Sequence, residues 1–123
     1  MEKPTTAVYI GDGNHMMTDL LARGVAARQL SRNTLTARTF HFEHERLWRD
    51  PVDWILVEPR GVIVNGGSRA DRKAADAVAK LARLQLQRSL SFAVLAPRSN
   101  DFWNLDAIQQ CRRDLRLFLA DWQ

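Results

Sequence analysis

The chain has 123 residues, 46% of them apolar, and a net charge of +4. This length suits one domain with its own core, and the apolar content excludes the intrinsically disordered class. No apolar run approaches the ~20 residues of a membrane span, and the first residues do not resemble a secretory signal, so we expect a cytoplasmic protein. A single cysteine, Cys111, excludes an internal disulfide and a Cys-rich zinc site, and we predict that it is a buried packing residue.

The first half of the chain predicts a strand, a helix and a second strand. Residues 7–10 are apolar and stop at a Gly-Asp-Gly-Asn turn, which indicates a strand followed by a turn. Apolar residues then recur at three- and four-residue steps over about 15–30, the pattern of an amphipathic helix that only Gly24 interrupts. From 34 to 45 the period changes to two, which predicts a half-buried strand.

The second half predicts a hairpin and two further helices. Residues 52–57 and 61–64 are apolar nearly throughout and are separated by a short Pro-Arg turn, which favours two buried strands in an antiparallel hairpin. Ser68 with Asp71 three residues later resembles a capping box before a long helix. Residues 91–96 predict another buried strand, and Leu105 and Ile108 begin the stripe of a final helix.

These elements give the order β-α-β-β-β-α-β-α. The predicted fold is a single α/β domain, residues 1–123, in which a mixed sheet of about five strands is flanked by three helices.

One segment carries a resemblance to a known family. Val52-Asp53-Trp54-Ile55-Leu56-Val57-Glu58-Pro59-Arg60-Gly61-Val62-Ile63-Val64 resembles the centre of the nuclease-related (NERD) family of the restriction-endonuclease-like fold, in which an Asp opens one strand and the next strand ends in Glu-x-Lys. The resemblance implies that an Asp and a Glu on adjacent strands hold a divalent metal and that the Lys positions the attacking water. Asp53 matches the Asp, but Asn65 and Gly67 stand where the Glu and Lys would be. The resemblance therefore implies a nuclease fold without an intact catalytic motif.

A rebuilt metal site is the alternative. Glu43 shares a predicted strand face with His41 and Glu45, and it could supply a carboxylate near Asp53, so the candidate catalytic residues are Asp53 and Glu43, with Mg²⁺ as cofactor if the protein is active. Otherwise no cofactor is expected. The simpler interpretation places these side chains on the wet face of an edge strand.

The charge distribution suggests where nucleic acid would bind. Residues 20–42 hold four arginines and no acid, and residues 69–88 hold six basic residues against two aspartates. Basic flanks beside an acidic segment are typical of a nucleic-acid site, although a solvated, arginine-rich surface gives the same pattern. The candidate contacts are Arg28, Arg32, Arg38, Arg69, Arg72, Lys73, Lys80 and Arg83.

A second candidate site follows the first strand. Gly11, Gly13, Asn14 and His15 precede a helix, where free backbone N–H groups and the helix dipole can bind an anion, but the spacing gives neither a dinucleotide-binding nor a Walker motif. An ordinary turn with a polar N-cap is the alternative.

Two functions remain open on the sequence alone. The first is a nucleic-acid-binding accessory protein with a nuclease-like fold, and the second is a non-enzymatic protein-interaction module, possibly a homodimer. Phe102 and Trp103 could stack on bases, but packing in the core or an interface is the simpler interpretation, as it is for Trp48, Trp54 and Trp122.

Overall fold

The computed structural model describes residues 3–59, 68–96 and 101–115. Its helices and strands alternate along the chain, and two short 3₁₀ turns lie at 32–35 and 101–104. The elements are β1 (Thr6–Ile10), α1 (Asn14–Ala22), β2 (Ala26–Leu30), α2 (Phe40–Arg49), β3 (Trp54–Val57), α3 (Arg69–Gln87), β4 (Ser91–Val94) and α4 (Asp106–Leu115).

The four described strands form one parallel sheet in the order β2-β1-β3-β4. β1 lies at the centre, with Val8 opposite Arg28 of β2 on one side and opposite Ile55 of β3 on the other. Right-handed crossovers in this order place α1 on one face of the sheet and α2 and α3 on the other. The α/β class is thus confirmed.

The core lies between the sheet and α3. Val8, Ile10, Ile55 and Val57 point to the same face by strand alternation, and they pack with an apolar stripe of α3. The residues of that stripe recur at helical spacing, and they are Ala75, Ala77, Val78, Leu81 and Leu84. Cys111 is buried against α3 residues Ala79 and Ala82, so its prediction as a packing residue is confirmed.

Local signals explain where α3 begins and ends. Ser68 Oγ accepts a hydrogen bond from the Asp71 N–H, and Asp71 Oδ2 accepts one from the Ser68 N–H, which is the predicted capping box. Near the other end, Gln85 is 1% exposed, and its Nε2 donates to the carbonyls of Val52 and Ser91. This side chain fixes the end of α3 to the segments that open β3 and β4.

Two predicted elements of the first half are wrong. Helix 15–30 ends at Ala22, because Gly24 has a φ of 77° and the N–H groups of Gly24 and Val25 donate to the carbonyls of Leu21 and Leu20, as in a Schellman motif. The residues after Gly24 form β2. The predicted strand 34–45 is instead a 3₁₀ turn followed by α2, in which Phe40, His44 and Leu47 follow helical rather than alternating spacing.

The sheet also differs from the prediction in its pairing. The described strands number four and are parallel, rather than about five in a mixed sheet, and the described helices number four rather than three. The second strand of the predicted hairpin, 61–64, lies outside the described residues. β1 and β4 occupy both sides of β3, so β3 is not paired as the hairpin requires.

Among the described helices, none has the length and apolar content that crossing a membrane requires.

Candidate ligand site at the carboxyl edge of the sheet

The sheet has a point at which its chain connectivity changes direction. From β1 the chain moves outward to β2, then returns past β1 to β3 on its other side. The chain therefore runs from β1 to α1 on one face of the sheet and from β3 to α3 on the other. We use the term crevice for the space beside the carboxyl ends of β1 and β3. In open parallel sheets this is the position at which ligands bind.

A tyrosine and a glutamate join the two strands at this crevice. Tyr9 is fully buried on β1, and its hydroxyl donates to Glu58 Oε2 at 2.7 Å. The Gly13 N–H donates to the same hydroxyl at 3.1 Å. Burial raises the pKa of the Tyr9 hydroxyl above its ordinary value, and the hydrogen bond to Glu58 raises it further. Tyr9 therefore keeps its proton, and it holds the half-buried Glu58 carboxylate just after β3.

Gly11 and Gly13 make this arrangement possible through their size. A Cβ on Gly11 would lie 2.5 Å from Tyr9 Oη, and a Cβ on Gly13 would lie 2.9 Å from the same atom. Both distances are shorter than a carbon–oxygen contact allows. Glycine at these two positions therefore allows the Tyr9 ring to lie against the loop.

An ion pair lies beside the crevice, near the end of β2. Arg32 Nε lies 2.7 Å from Asp12 Oδ2, and Gln29 Nε2 donates to the Gly11 carbonyl at 2.8 Å. These contacts hold the loop after β1 against β2. The carboxyl ends of three neighbouring strands thus present Asp12, Arg32 and Glu58 together.

The predicted anion site occupies this same loop, but two of its four residues are already bonded within the protein. The Gly11 N–H donates to the Leu30 carbonyl, and the Gly13 N–H donates to Tyr9. Gly13 is the N-cap of α1 and supplies no side-chain cap, and the first turn of α1 contains no acid. Asn14 begins α1, and His15 is exposed beside it. The first turn of α1 is therefore the part of the predicted site that remains open to an anion.

The two candidate catalytic carboxylates have separate partners. Asp53 precedes β3 at the opposite, amino edge of the sheet, where its Oδ2 accepts from the Thr6 N–H at 2.8 Å. Glu43 lies on α2 and pairs with Arg28 at 3.3 Å. Since 34–45 is not a strand, Glu43 does not share a strand face with His41 and Glu45. Within residues 3–59, 68–96 and 101–115, no three or more His, Cys, Asp or Glu side chains are grouped so that they could hold a metal ion.

The candidate nucleic-acid residues fall on two parts of the molecule. Arg28 and Arg32 belong to the β2 side and pair with Glu43 and Asp12, while Arg38 is exposed before α2. The other five lie on α3, where four are exposed and Arg83 is half-exposed. They are Arg69, Arg72, Lys73, Lys80 and Arg83.

The sequence analysis missed Tyr9 and Glu58. Tyr9 lies within an apolar strand, so the sequence pattern around it indicates only burial. The predicted hairpin places Glu58 in its turn. The available signal was position: Glu58 follows a buried strand directly, where parallel sheets place their ligand-binding loops.

Other predicted contacts are resolved by burial. Phe102 is buried and stands edge-on to the neighbouring Trp103, whose ring packs against the core, which confirms packing over base stacking at this position. Trp48 and Trp54 are among the exposed apolar residues, so a core position for them is wrong, and a position in an interface stays a prediction. Trp122 lies outside the described residues.

Comparison with known proteins adds no family to this geometry: no family model matches the chain, and a search of curated proteins finds no relative.

Proposed function

We propose that this protein binds a small phosphorylated ligand, of which a nucleoside monophosphate is the test case, in the crevice between β1 and β3. The proposal rests on the strand order, in which the chain reverses direction at β1. This order brings the start of α1, which has no side-chain cap, and the Glu58 carboxylate to the carboxyl edge of the sheet. The proposal is for binding alone.

The chemistry of the crevice fits the two ends of such a ligand. A phosphate group would be stabilised at the start of α1 by free N–H groups and by the positive end of the helix dipole, with Arg32 close to the same loop. A sugar hydroxyl would donate to the Glu58 carboxylate, which Tyr9 already orients through one of its oxygens. Glu58 lies beside Gly13, the N-cap of α1, and it would repel a phosphate placed next to it, so the phosphate would have to bind on the Arg32 side of the loop.

Calorimetric titration with adenosine monophosphate, ribose 5-phosphate, adenosine and inorganic phosphate tests the proposal. We expect the two phosphorylated sugars to bind more tightly than adenosine or phosphate alone. Glu58→Gln should weaken their binding about tenfold, because a hydrogen bond to a charged acceptor contributes about 1.5–3 kcal/mol. Glu45→Gln is the matched control, since Glu45 is exposed on α2 and pairs with Arg49. Equal, millimolar binding of all four compounds would contradict the proposal.

Nucleic-acid binding is the second candidate function. It is supported by the basic residues of α3, of which Arg69, Arg72, Lys73 and Lys80 are exposed. Fluorescence anisotropy with labelled DNA and RNA across a salt series tests it, because phosphate contacts make the logarithm of the affinity fall linearly with the logarithm of salt concentration. Absence of binding at 50 mM salt, a low ionic strength for such contacts, would reject this function.

A metal-dependent nuclease and a protein-interaction module remain predictions with their own tests. Part of the segment that resembles the nuclease-related family, residues 60–64, lies outside the described residues, as do Asn65 and Gly67. If Asp53 and Glu43 support metal-dependent cleavage, added Mg²⁺ or Mn²⁺ should produce cleavage that Asp53→Ala removes. A protein-interaction role, with a homodimer as its simplest form, is tested by sedimentation analysis of the full chain.

A further inference from the structure

Helix α2 exposes two large aromatic side chains on the face of the sheet that also carries α3. Phe42 is 60% exposed and Trp48 is 54% exposed, although apolar side chains of this size are ordinarily covered. They are six residues apart on α2, which places them about 120° apart around the helix and about 9 Å apart along its axis, so the two rings lie on different sides of α2. Two separate aromatic surfaces are therefore available to a partner.

Basic residues on or just after α3 lie near Trp48 and the neighbouring part of α2. The guanidinium of Arg88, which follows α3, lies 4.1 Å from the centre of the Trp48 ring. Lys80 lies against α2, because its backbone is hydrogen-bonded to His44 and its charge acts on the His44 ring. Lys73 is exposed two turns before Lys80 on the same side of α3. We use the term α2–α3 surface for Trp48, Lys73, Lys80 and Arg88.

Nearby carboxylates are directed mainly to other partners. On α2, Glu43 pairs with Arg28, and Glu45 pairs with Arg49 at 2.6 Å. On α3, Asp76 lines the groove toward α4, which also contains Asp106, and Asp114 pairs there with Arg83. Lys80 and Arg83 also line this groove, and Asp76 is one helical turn from both Lys73 and Lys80, so it is the acid of α3 nearest to these lysines.

We propose that the α2–α3 surface binds single-stranded nucleic acid, with a base stacked on Trp48 and phosphates bound by Lys73, Lys80 and Arg88. This inference rests on nucleic-acid binding, the second candidate function, and it adds the form of the ligand and the place where it binds. Aromatic stacking with cationic flanks is the way in which proteins bind unpaired strands, and Arg88 behind Trp48 adds a cation–π contact. A duplex offers no unstacked base to the Trp48 ring, so it should bind only through phosphate contacts.

The test is fluorescence anisotropy of the full chain with a labelled 12-nucleotide single strand and the matching duplex. We expect the single strand to bind more tightly, and Trp48→Ala to weaken its binding about tenfold while duplex binding changes less than twofold. Trp54→Ala is the matched control, because Trp54 is also exposed but alternates with the core residue Ile55 and so lies on the other sheet face. It should leave the affinity unchanged.

A charge variant tests the phosphate contacts separately. The double change Lys73→Ala and Lys80→Ala should reduce the salt slope by about 1.4, since each contact with a single strand contributes about 0.7. The control is Arg23→Ala, whose exposed side chain follows α1 on the opposite face of the sheet. Circular dichroism of each variant checks that its fold is retained.

The outcomes separate this inference from the function on which it rests. Binding that Trp48→Ala leaves unchanged, or a duplex bound as tightly as the single strand, overturns the stacking proposal while nucleic-acid binding stands. Failure of both oligonucleotides to bind at 50 mM salt, where phosphate contacts are strong, overturns both, and the exposed aromatics would then indicate a protein contact.

Discussion

Replacing Tyr9 by Phe removes a hydroxyl with two bonds at the carboxyl edge of the sheet. The bond to the Glu58 carboxylate is charge-assisted and 2.7 Å long, and the bond from the Gly13 N–H is neutral and 3.1 Å long. Such bonds contribute about 1.5–3 and 0.5–1.5 kcal/mol. Because Glu58 is only half-buried, the lower half of each range applies, and we expect Tyr9→Phe to lower the free energy of unfolding by about 2–3 kcal/mol.

A double-mutant cycle isolates the part that belongs to the Tyr9–Glu58 pair. Urea unfolding followed by circular dichroism is measured for the wild type, Tyr9→Phe, Glu58→Ala and the double variant. The expected coupling free energy is about 1.5 kcal/mol, with the double variant less destabilised than the sum of the singles. A coupling below about 0.5 kcal/mol would refute the view that Tyr9 holds Glu58 in place, because independent sites already agree to that level.

Three further predictions concern other parts of the described chain. Gly13→Ala should lower the free energy of unfolding of the wild type, measured in urea, by about 1–2 kcal/mol, because the added Cβ would lie within 3 Å of the tyrosine hydroxyl and of no other atom. In the Tyr9→Phe background the same change should cost under about 0.5 kcal/mol. Equal costs in both backgrounds would contradict this explanation. Gln85→Leu should lower the free energy of unfolding by about 2–4 kcal/mol, since two carbonyls lose their donor in the core, whereas Gln87→Leu, at an exposed position of the same helix, should change it by under about 0.5 kcal/mol. Burial and then the charge of Lys80 lower the pKa of His44, so the unfolded chain binds its proton more readily, and the stability should decline as the pH falls below the ordinary value of 6.5. His44→Gln should reduce the change of the urea midpoint between pH 7.5 and pH 5, whereas the control His15→Gln should not. A pH dependence that His44→Gln leaves unchanged would show that His44 is not its cause.

The elements with an unambiguous local signal were predictable. The capping box of Ser68 and Asp71 marks the start of α3, and the three- and four-residue spacing of its apolar residues identifies the face that it buries. Strands β1, β3 and β4 were found because short apolar runs with polar ends leave little alternative. In each case the local pattern and the tertiary contacts agree.

The first half of the chain folds differently from its sequence pattern for two physical reasons. Residues 34–45 alternate in polarity, yet Leu47, the one fully buried residue of α2, lies beyond that window and completes a helical spacing with Phe40 and His44. Gly24 ends α1 through a left-handed backbone, and a single glycine within an apolar stripe does not reveal this conformation. With β2 hidden inside a predicted helix, a parallel sheet could not be recognised.

The candidate site could not be assembled from the sequence because its parts are distant along the chain. Tyr9 and Glu58 are 49 positions apart, and their contact depends on β1 pairing with β3 rather than with a hairpin partner. The loop after β1 was nevertheless identified as a possible anion site from the glycines and the helix that follows. Pairing order, rather than residue chemistry, was the missing information.

The contacts at the two ends of the β1–β3 pair also bear on how the protein folds. Thr6 and Asp53 join the amino ends, and Tyr9 and Glu58 join the carboxyl ends, so the central pair closes only after more than 40 intervening residues have been synthesised. Parallel pairing over such separations forms slowly, because the loop entropy is lost before the contacts are gained. Until Glu58 has left the ribosome, β1 remains an apolar strand without its second neighbour. We therefore expect β1–β3 pairing to limit the folding rate, and Asp53→Ala to slow refolding more than it speeds unfolding.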